Sequence, residues 1–309
     1  MAKKLAAIKI KNMKVSICIP SYKQTVYLRR VLTSIHEQDF NDYEIIITDD
    51  TPDDSIKKLI DEFDFQGRLK YFKNQPILGT PENWNEAIRK AHGEYIKIIH
   101  HDDFFTYNYS LGEFVKMLDD NPECDFAFSS SLNLDKDFKT LNQHCPTPKE
   151  LDLIKKSPDQ LFFSAIIGAP SATIFRNKKT IFFNKSLKWL VDMDFYIRVL
   201  KNNKNFIYYD KPLISTVDAP NRVTVECVND KNIFIGEMLF VLKKISHNNQ
   251  KDLKFLKFLI NNFITNGITS IPQLKQYNTK KIKLPFVVYV SFVLSRIYVI
   301  FFKRKYSSI

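Results

Sequence analysis

Between Lys14 and Ile99, short β-branched apolar runs alternate with stretches of helical spacing, and nothing else in the chain constrains its fold as strongly. Lys14 to Pro20 (KVSICIP) reads as a buried strand. Within 27–38, Leu28, Val31, Leu32 and Ile35 then recur at the 3–4 spacing of a helix. Tyr43 to Thr48 is a second strand, Ser55 to Phe63 a second helix, and Leu69 to Phe72 a third strand. Thr80 as N-cap and Pro81 at the first helical position open a third helix. Trp84, Ala87, Ile88 and Ala91 form its apolar face, and Gly93 is placed to stop it. Glu94 to Ile99 is the fourth strand. Strands separated by helices at this spacing need crossover connections, which predicts a parallel, right-handed sheet flanked by helices.

Beyond residue 111 the alternation is less regular. Strands are expected at 125–129 and 171–175, a helix at 192–202, and a connection over 142–148, which holds two prolines. Residues 231–309 have helical period and no internal repeat. The expected organisation is one α/β domain over 1–230, in halves 14–110 and 111–230, followed by a helical region over 231–309.

The net charge of +12 resembles a nucleic-acid signal until it is located. Five lysines lie within residues 1–14 and seven basic residues within 280–309, with no acid in either stretch, so residues 15–279 are neutral. Basic ends on a neutral body favour an anionic surface met by the termini over a duplex-binding face. No nucleic-acid partner is therefore expected. Cys18, Cys124, Cys145 and Cys227 are scattered and form no metal or disulfide framework, which indicates a reducing compartment. Cys18 reads as a small core residue. The basic N-terminus lacks the apolar core of a secretory signal. Leu284 to Phe302 carries one charge, Arg296, between basic clusters. That pattern suits an in-plane or shallowly inserted helix better than a spanning one, because a central Arg costs about 2.5–3.5 kcal/mol on insertion.

Three loops follow strands of the parallel half: 20–23, 49–53, and the turn after Ile99 that reads HHDDFF. All should reach the same carboxyl edge, where open α/β sheets bind ligands. Paired carboxylates there suit Mg²⁺ or Mn²⁺ against a diphosphate. Tyr22 could stack on a base, Asp50 could hold base or ribose, and Asp102 and Asp103 could hold ribose and metal. Neither a G-x-G-x-x-G after the first strand nor a P-loop pattern is present, so the dinucleotide and P-loop readings lose their main support.

The string KVSICIPSYKQ, with LRRVLTSIHEQDFNDYEIIITDDTPDDS and NWNEAIRKAHGEYIKIIHHDDFF, resembles glycosyltransferase family 2, the inverting nucleotide-sugar enzymes of GT-A fold. The likeness is close over about residues 14–110 and weaker to about 200. It implies a Rossmann-like, mostly parallel central sheet flanked by helices, with a C-terminal helical extension. It also implies a hexosyl- or N-acetylhexosaminyl-transferase that uses a divalent metal, Mn²⁺ or Mg²⁺. The donor would be a nucleotide-sugar, UDP-linked by preference, and the acceptor a cell-surface glycan or a lipid-linked one. Peripheral membrane contact would then come through the C-terminal helix, at the cytoplasmic, inner face of the membrane.

By this resemblance Pro20 and Tyr22 line the nucleotide base. Asp50, or Asp49 beside it, contacts the uracil-like edge. Asp102 and Asp103 match the DXD-type element for ribose and metal, in either order of importance. His100 stands where the family often has Asp, and His101 could be a supporting group. The segment WLVDMDFYIR resembles the family's acidic pair before a helix, with Asp192 as the general base, Asp194 as its alternate, and Val191 in place of the usual Glu. Gly168 to Ser171 resembles the loop before the strand beneath the acceptor. Arg222, in 218–224, is a candidate diphosphate contact. His100 and Val191 also leave open a catalytically inactive nucleotide- or glycan-binding module on the same fold.

Overall fold

The computed structural model describes residues 13–218, 227, 229–245 and 253–302, and the statements below refer to them. They divide into two compact units. The first takes the residues up to Cys145 together with Ala169–Phe182 and Asn205–Val217; the second takes Pro146–Gly168, Phe183–Lys204 and the described residues from Asp218 onward.

The first unit holds the whole sheet. In chain order it contains β1 (Val15–Ser21), α1 (Thr25–His36), β2 (Tyr43–Asp49), α2 (Ser55–Ile60), β3 (Leu69–Lys73), α3 (Glu82–Lys90) and β4 (Tyr95–Ile98). There follow β5 (Asp103–Phe105), α4 (Ser110–Asp119), β6 (Phe126–Leu134), β7 (Thr140–His144), β8 (Thr173–Arg176) and β9 (Phe206–Val217). The strand order is β3-β2-β1-β4-β8-β6-β9-β5, with β7 paired to β6. The first four strands are parallel, as their spacing predicts, and Ser21 aligns with Asp49. Beyond β4 the sheet is mixed: β8 is antiparallel to both neighbours, β6 and β9 are parallel, and β5 runs against β9. Every residue of β1 and β2 is buried, which is why these strands read as near-continuous apolar runs rather than alternating ones. Ile17, Ile19, Ile45 and Ile47 meet Leu28, Val31, Leu32 and Ile35 of α1 in one core, each worth about 1.5–3 kcal/mol when fully buried.

Three local expectations are corrected. The helix at Thr80-Pro81 starts one residue later, at Glu82, with Pro81 as its cap, and Thr80 gives no side-chain cap. Its buried face carries Asn83 and Asn85 as well as Ala87 and Ile88, while Trp84 is half-buried. Gly93 is not the stop, since α3 ends at an extended Ala91; a Cβ on Gly93 would lie 2.4 Å from the Ser16 nitrogen. It is a glycine because β1 passes there. The connection over 142–148 is in part β7, an exposed, mostly polar edge strand antiparallel to β6.

The second unit is helical: α5 (Pro148–Lys156), α6 (Val191–Asn202), α7 (Lys231–Leu242), α8 (Leu253–Thr265), α9 (Ile271–Tyr277) and α10 (Phe286–Phe302). Thr147 and Glu150 form a reciprocal capping box at the start of α5, which ends the expected 142–148 connection. α10 packs on α8; Val288 and Phe292 of α10 and Phe255, Leu259 and Phe263 of α8 are buried. Its other side leaves Phe286, Val293, Ile297, Tyr298, Ile300 and Phe301 exposed. No described helix is long and apolar enough to cross a membrane.

Candidate nucleotide and metal site

The carboxyl edge of the parallel strands gathers the loops the sequence singled out. After β1 the chain turns through Lys23 and Gln24, both at φ 58°, a left-handed conformation that costs non-glycine residues about 1–2 kcal/mol each. Strain of this kind collects at functional loops. Pro20 is buried, and Tyr22 stands out from the edge at 46% exposure, with the Lys23 ammonium 5.0 Å from its ring centre. The Lys23 N–H donates to Thr51 Oγ1 at 2.7 Å, which ties the first loop to the second. The Ser21 hydroxyl is fully buried and has no hydrogen-bond partner among the described residues.

Asp49 and Asp50 differ in employment although both are buried. Asp49 accepts from the Thr51 N–H at 2.8 Å, the Tyr71 hydroxyl at 2.8 Å and the Lys73 ammonium at 3.1 Å. Burial, reinforced by that carboxylate, pushes the Tyr71 phenol well above its ordinary pKa. Asp50 accepts from Asn74 Nδ2 at 2.9 Å and from the N–H groups of Leu78 and Gly79 at 3.0 and 2.8 Å. A carboxylate has about four acceptor sites, so Asp50 anchors the 74–79 loop and keeps capacity for one more donor. Asn83, which sequence reading passed over, binds the edge together. Its Nδ2 donates to the Ser21 carbonyl at 3.2 Å, its Oδ1 accepts from Asn74, and its carbonyl accepts from Thr48 Oγ1. An Asn four residues before Ala87, in line with the helix's apolar face, was the available signal.

At the end of β4, His100, Asp102 and Asp103 bring three ligand atoms within 4.8 Å of one another. Asp103 is buried as the first residue of β5, whereas His100 and Asp102 are half-buried. The turn is held from several sides. The His100 N–H donates to Ser171 Oγ at 3.0 Å, the Asp103 N–H to the His100 carbonyl at 3.1 Å, and the Val217 N–H to the Asp102 carbonyl at 3.3 Å. The His100 ring lies on Trp84, centroids 4.4 Å apart. Lys97 is fully buried beneath this turn: its ammonium donates to the carbonyls of Ser171 and Thr173 and lies 4.0 Å from the Phe114 ring centre. Burial drives its pKa well down, with the Asp103 charge opposing. Two carboxylates and an imidazole within this span fit a divalent cation, and the nitrogen donor tilts the set from Mg²⁺ toward Mn²⁺.

In the second unit, Asp192 and Asp194 open α6 but have unlike settings. Asp194 is buried and paired, to Arg198 Nε at 2.8 Å and Lys244 Nζ at 2.5 Å. Asp192 is half-buried on a small apolar pocket with Leu161, Ile166, Ile167, Met193 and Tyr196. Burial raises its pKa to about 6, against the opposing pull of the Met193 N–H, which donates at 2.7 Å. The Tyr196 hydroxyl donates to the Gly168 carbonyl at 3.2 Å, so the loop at Gly168 closes the pocket wall. Arg222 lies outside the described residues, as do the basic residues at 3–11 and 303–305.

The mixed sheet with its loaded carboxyl edge is the frame of a GT-A glycosyltransferase. Residues 16–181, more than half of the chain, match the model for Glycosyl transferase family 2, and the chain belongs to that family. An uncharacterized glycosyltransferase of Methanocaldococcus jannaschii is 27% identical over 67% of this chain and 71% of its own length. A GalNAc(5)-diNAcBac-PP-undecaprenol beta-1,3-glucosyltransferase of Campylobacter jejuni is 35% identical, over 29% of this chain and only 30% of that protein. Among solved structures, Staphylococcus aureus TarS 1-349 in complex with UDP-GlcNAc superposes with TM-score 0.70 at 17% identity, covering 95% of this chain and 92% of that one. A mannosyltransferase from Pyrobaculum calidifontis with GDP-Man and Mn²⁺ gives TM-score 0.53 at 13% identity, covering 93% and 87%. At these identities the likeness shows the fold.

Proposed function

We propose that the chain is a metal-dependent inverting glycosyltransferase that moves a sugar from a UDP-sugar to a cell-surface glycan or lipid-linked acceptor. The observation that carries this reading is the gathering of Tyr22, Asp50 and the His100–Asp102–Asp103 cluster along one sheet edge. Tyr22 stacks on the base, beside Pro20; Asp50 takes the uracil N–H with its remaining acceptor capacity, and Asp49 supports it through the shared loop. Asp102 and Asp103, with His100, would hold the divalent ion, Mn²⁺ in preference to Mg²⁺, and that ion would supply positive charge to the departing diphosphate. Arg222 is a further diphosphate contact.

Asp192 is the general base, and its settings favour it over Asp194, whose oxygens are occupied by Arg198 and Lys244. The acceptor hydroxyl oxygen attacks the anomeric carbon, its proton passes to Asp192, and the bond to the diphosphate oxygen breaks as UDP leaves. One in-line displacement inverts the anomeric centre. A carboxylate with pKa about 6 is ionised at neutral pH yet basic enough to take that proton.

The exposed apolar side of α10 and the basic residues around it support peripheral contact with the cytoplasmic face of a membrane, where a lipid-linked acceptor would be met. Val191, in place of the family's usual Glu, favours the inactive-module reading instead. One experiment separates them. The purified chain is given UDP-, GDP- and dTDP-sugars with Mn²⁺, with EDTA, and as Asp103→Ala. Metal-dependent turnover of UDP-sugars, lost in the variant, is expected; binding without turnover in any condition would leave the inactive module.

A further inference from the structure

Asp192 is the second residue of a helix whose own cap is empty: Leu190 at the N-cap of α6 offers no side-chain acceptor. The three N–H groups that lead up to it, ending at the N-cap residue, are instead held by a carboxylate from another helix. Glu237 of α7, 3% exposed, accepts from the N–H of Lys188 at 2.6 Å through Oε1, and from those of Trp189 and Leu190 at 2.9 and 3.0 Å through Oε2. Three consecutive donors on one buried carboxylate leave the segment 188–190 little freedom.

The rest of α7 reinforces that grip. Phe234 lies against Trp189 with ring centroids 4.4 Å apart, and Lys244, just beyond the helix, pairs with Asp194. The helix packs tightly on the 277–279 segment, because a Cβ on Gly236 would lie 2.5 Å from Thr279 Oγ1 and 2.9 Å from the Tyr277 carbonyl oxygen. Glu237 lies outside residues 16–181, so the family match says nothing of it.

We infer that Glu237 is a positioning residue for the reaction: it holds 188–190 so that α6 presents Asp192 at the angle the proton transfer needs. This rests on Asp192 being the base. Glu237→Gln keeps the shape but turns one acceptor oxygen into a donor, so at least one of the three N–H groups loses its partner. A displacement of the base by even about 1 Å costs on the order of 100-fold in rate.

The test uses the full chain with Mn²⁺ and four probes: UDP-glucose, UDP-galactose, UDP-N-acetylglucosamine and UDP-N-acetylgalactosamine, with UDP release followed. Glu237→Gln should lower kcat roughly 10–100-fold while the donor KM and the affinity for UDP stay within about twofold. On an Asp192→Asn background the same change should cost nothing further. Wild-type kcat in Glu237→Gln, beside an inactive Asp192→Asn, would overturn the inference alone. A parallel rise in KM and loss of UDP affinity would reduce Glu237 to a general fold contact and overturn it too. Full turnover by Asp192→Asn, or no turnover by the wild type, would defeat the base assignment first and Glu237 with it. If Glu237→Ala fails to fold, the Gln variant still decides.

Discussion

His100 rests on Trp84, ring centroids 4.4 Å apart and planes tilted 44°, so the first residue of the turn proposed to hold metal is braced by a side chain from α3. The brace matters because a ligating imidazole is tuned by whatever fixes its ring. Trp84→Ala should weaken Mn²⁺ binding in the presence of UDP by roughly 10-fold, the low end of losses for supporting groups. Titration calorimetry checks it; an unchanged affinity would show that the imidazole needs no brace or binds no metal.

Asp192 makes a paired forecast. Its carboxyl has a pKa of about 6 in the fold against an ordinary 3.8. As the proposed base, Asp192 must be ionised, so kcat/KM, which follows the free enzyme, should fall about tenfold per pH unit below about pH 6. For stability the sign is opposite to that of a salt-bridged Asp. Between about pH 4 and 6 the folded chain holds a proton that the unfolded chain has released, so stability declines as pH rises through that window. The two-unit shift corresponds to about 3 kcal/mol at most. Asp192→Asn, which never ionises, should therefore be about 1–3 kcal/mol more stable than wild type at pH 8 and equal to it at pH 4. Urea unfolding at both pH values decides.

Asp194 should behave in the reverse way. Its carboxylate is buried, but Arg198 and Lys244 are each about a third exposed, so the cations left by its loss stay partly solvated and the cost is that of the lost charged hydrogen bonds, about 1–3 kcal/mol. Asp194→Ala should lower the urea midpoint accordingly. A stability loss under about 1 kcal/mol would mean the pair is solvated and would reopen Asp194 as the alternate base.

Gly93 is the sharpest structural test. A methyl there would lie 2.4 Å from the Ser16 nitrogen and 2.6 Å from the Val15 carbonyl carbon, both backbone atoms of β1 that cannot rotate away. Gly93→Ala should cost at least about 3 kcal/mol, beyond the usual overpacking range, since a strand must shift. Thermal unfolding checks this; a fall in Tm of only a degree or two would mean the strand end yields.

The contrast between the parallel half and the rest is physical. β1, β2 and β4 are buried on both faces, so their apolar runs are visible in sequence without any partner being known. β5 has three residues, β7 is an exposed, mostly polar edge, and β9 carries Asp210, Lys211 and Pro212 where its register against β6 shifts. Such strands are specified by neighbours distant in the chain, and no local period reports them. The site divides the same way. Asp50, Asp102, Asp103 and Asp192 stood out by type and position, whereas Asn83, Trp84 and Glu237 act through partners 48 residues away in the Glu237–Trp189 case and 62 in the Asn83–Ser21 case.

The last forecast concerns α10. Leu284, Val288 and Phe292 face the unit's interior, whereas Phe286, Val293, Ile297, Ile300 and Phe301 expose apolar surface along the opposite side. Isolated exposed apolar residues are ordinary, but a continuous stripe on one helix marks an interaction surface. With Lys280, Lys281 and Lys283 just before the helix, the partner proposed for this stripe is an anionic bilayer. Full-length protein should cosediment with vesicles containing phosphatidylglycerol and less with purely zwitterionic ones. Replacing Phe286, Ile297 and Phe301 together by Ser removes at least about 3 kcal/mol of insertable apolar surface, so vesicle affinity should fall more than about 100-fold. Their exposure in the fold predicts unchanged thermal stability. Equal sedimentation of wild type and triple variant would remove α10 as the membrane contact; a large Tm loss in the variant would show that the stripe is covered within the protein.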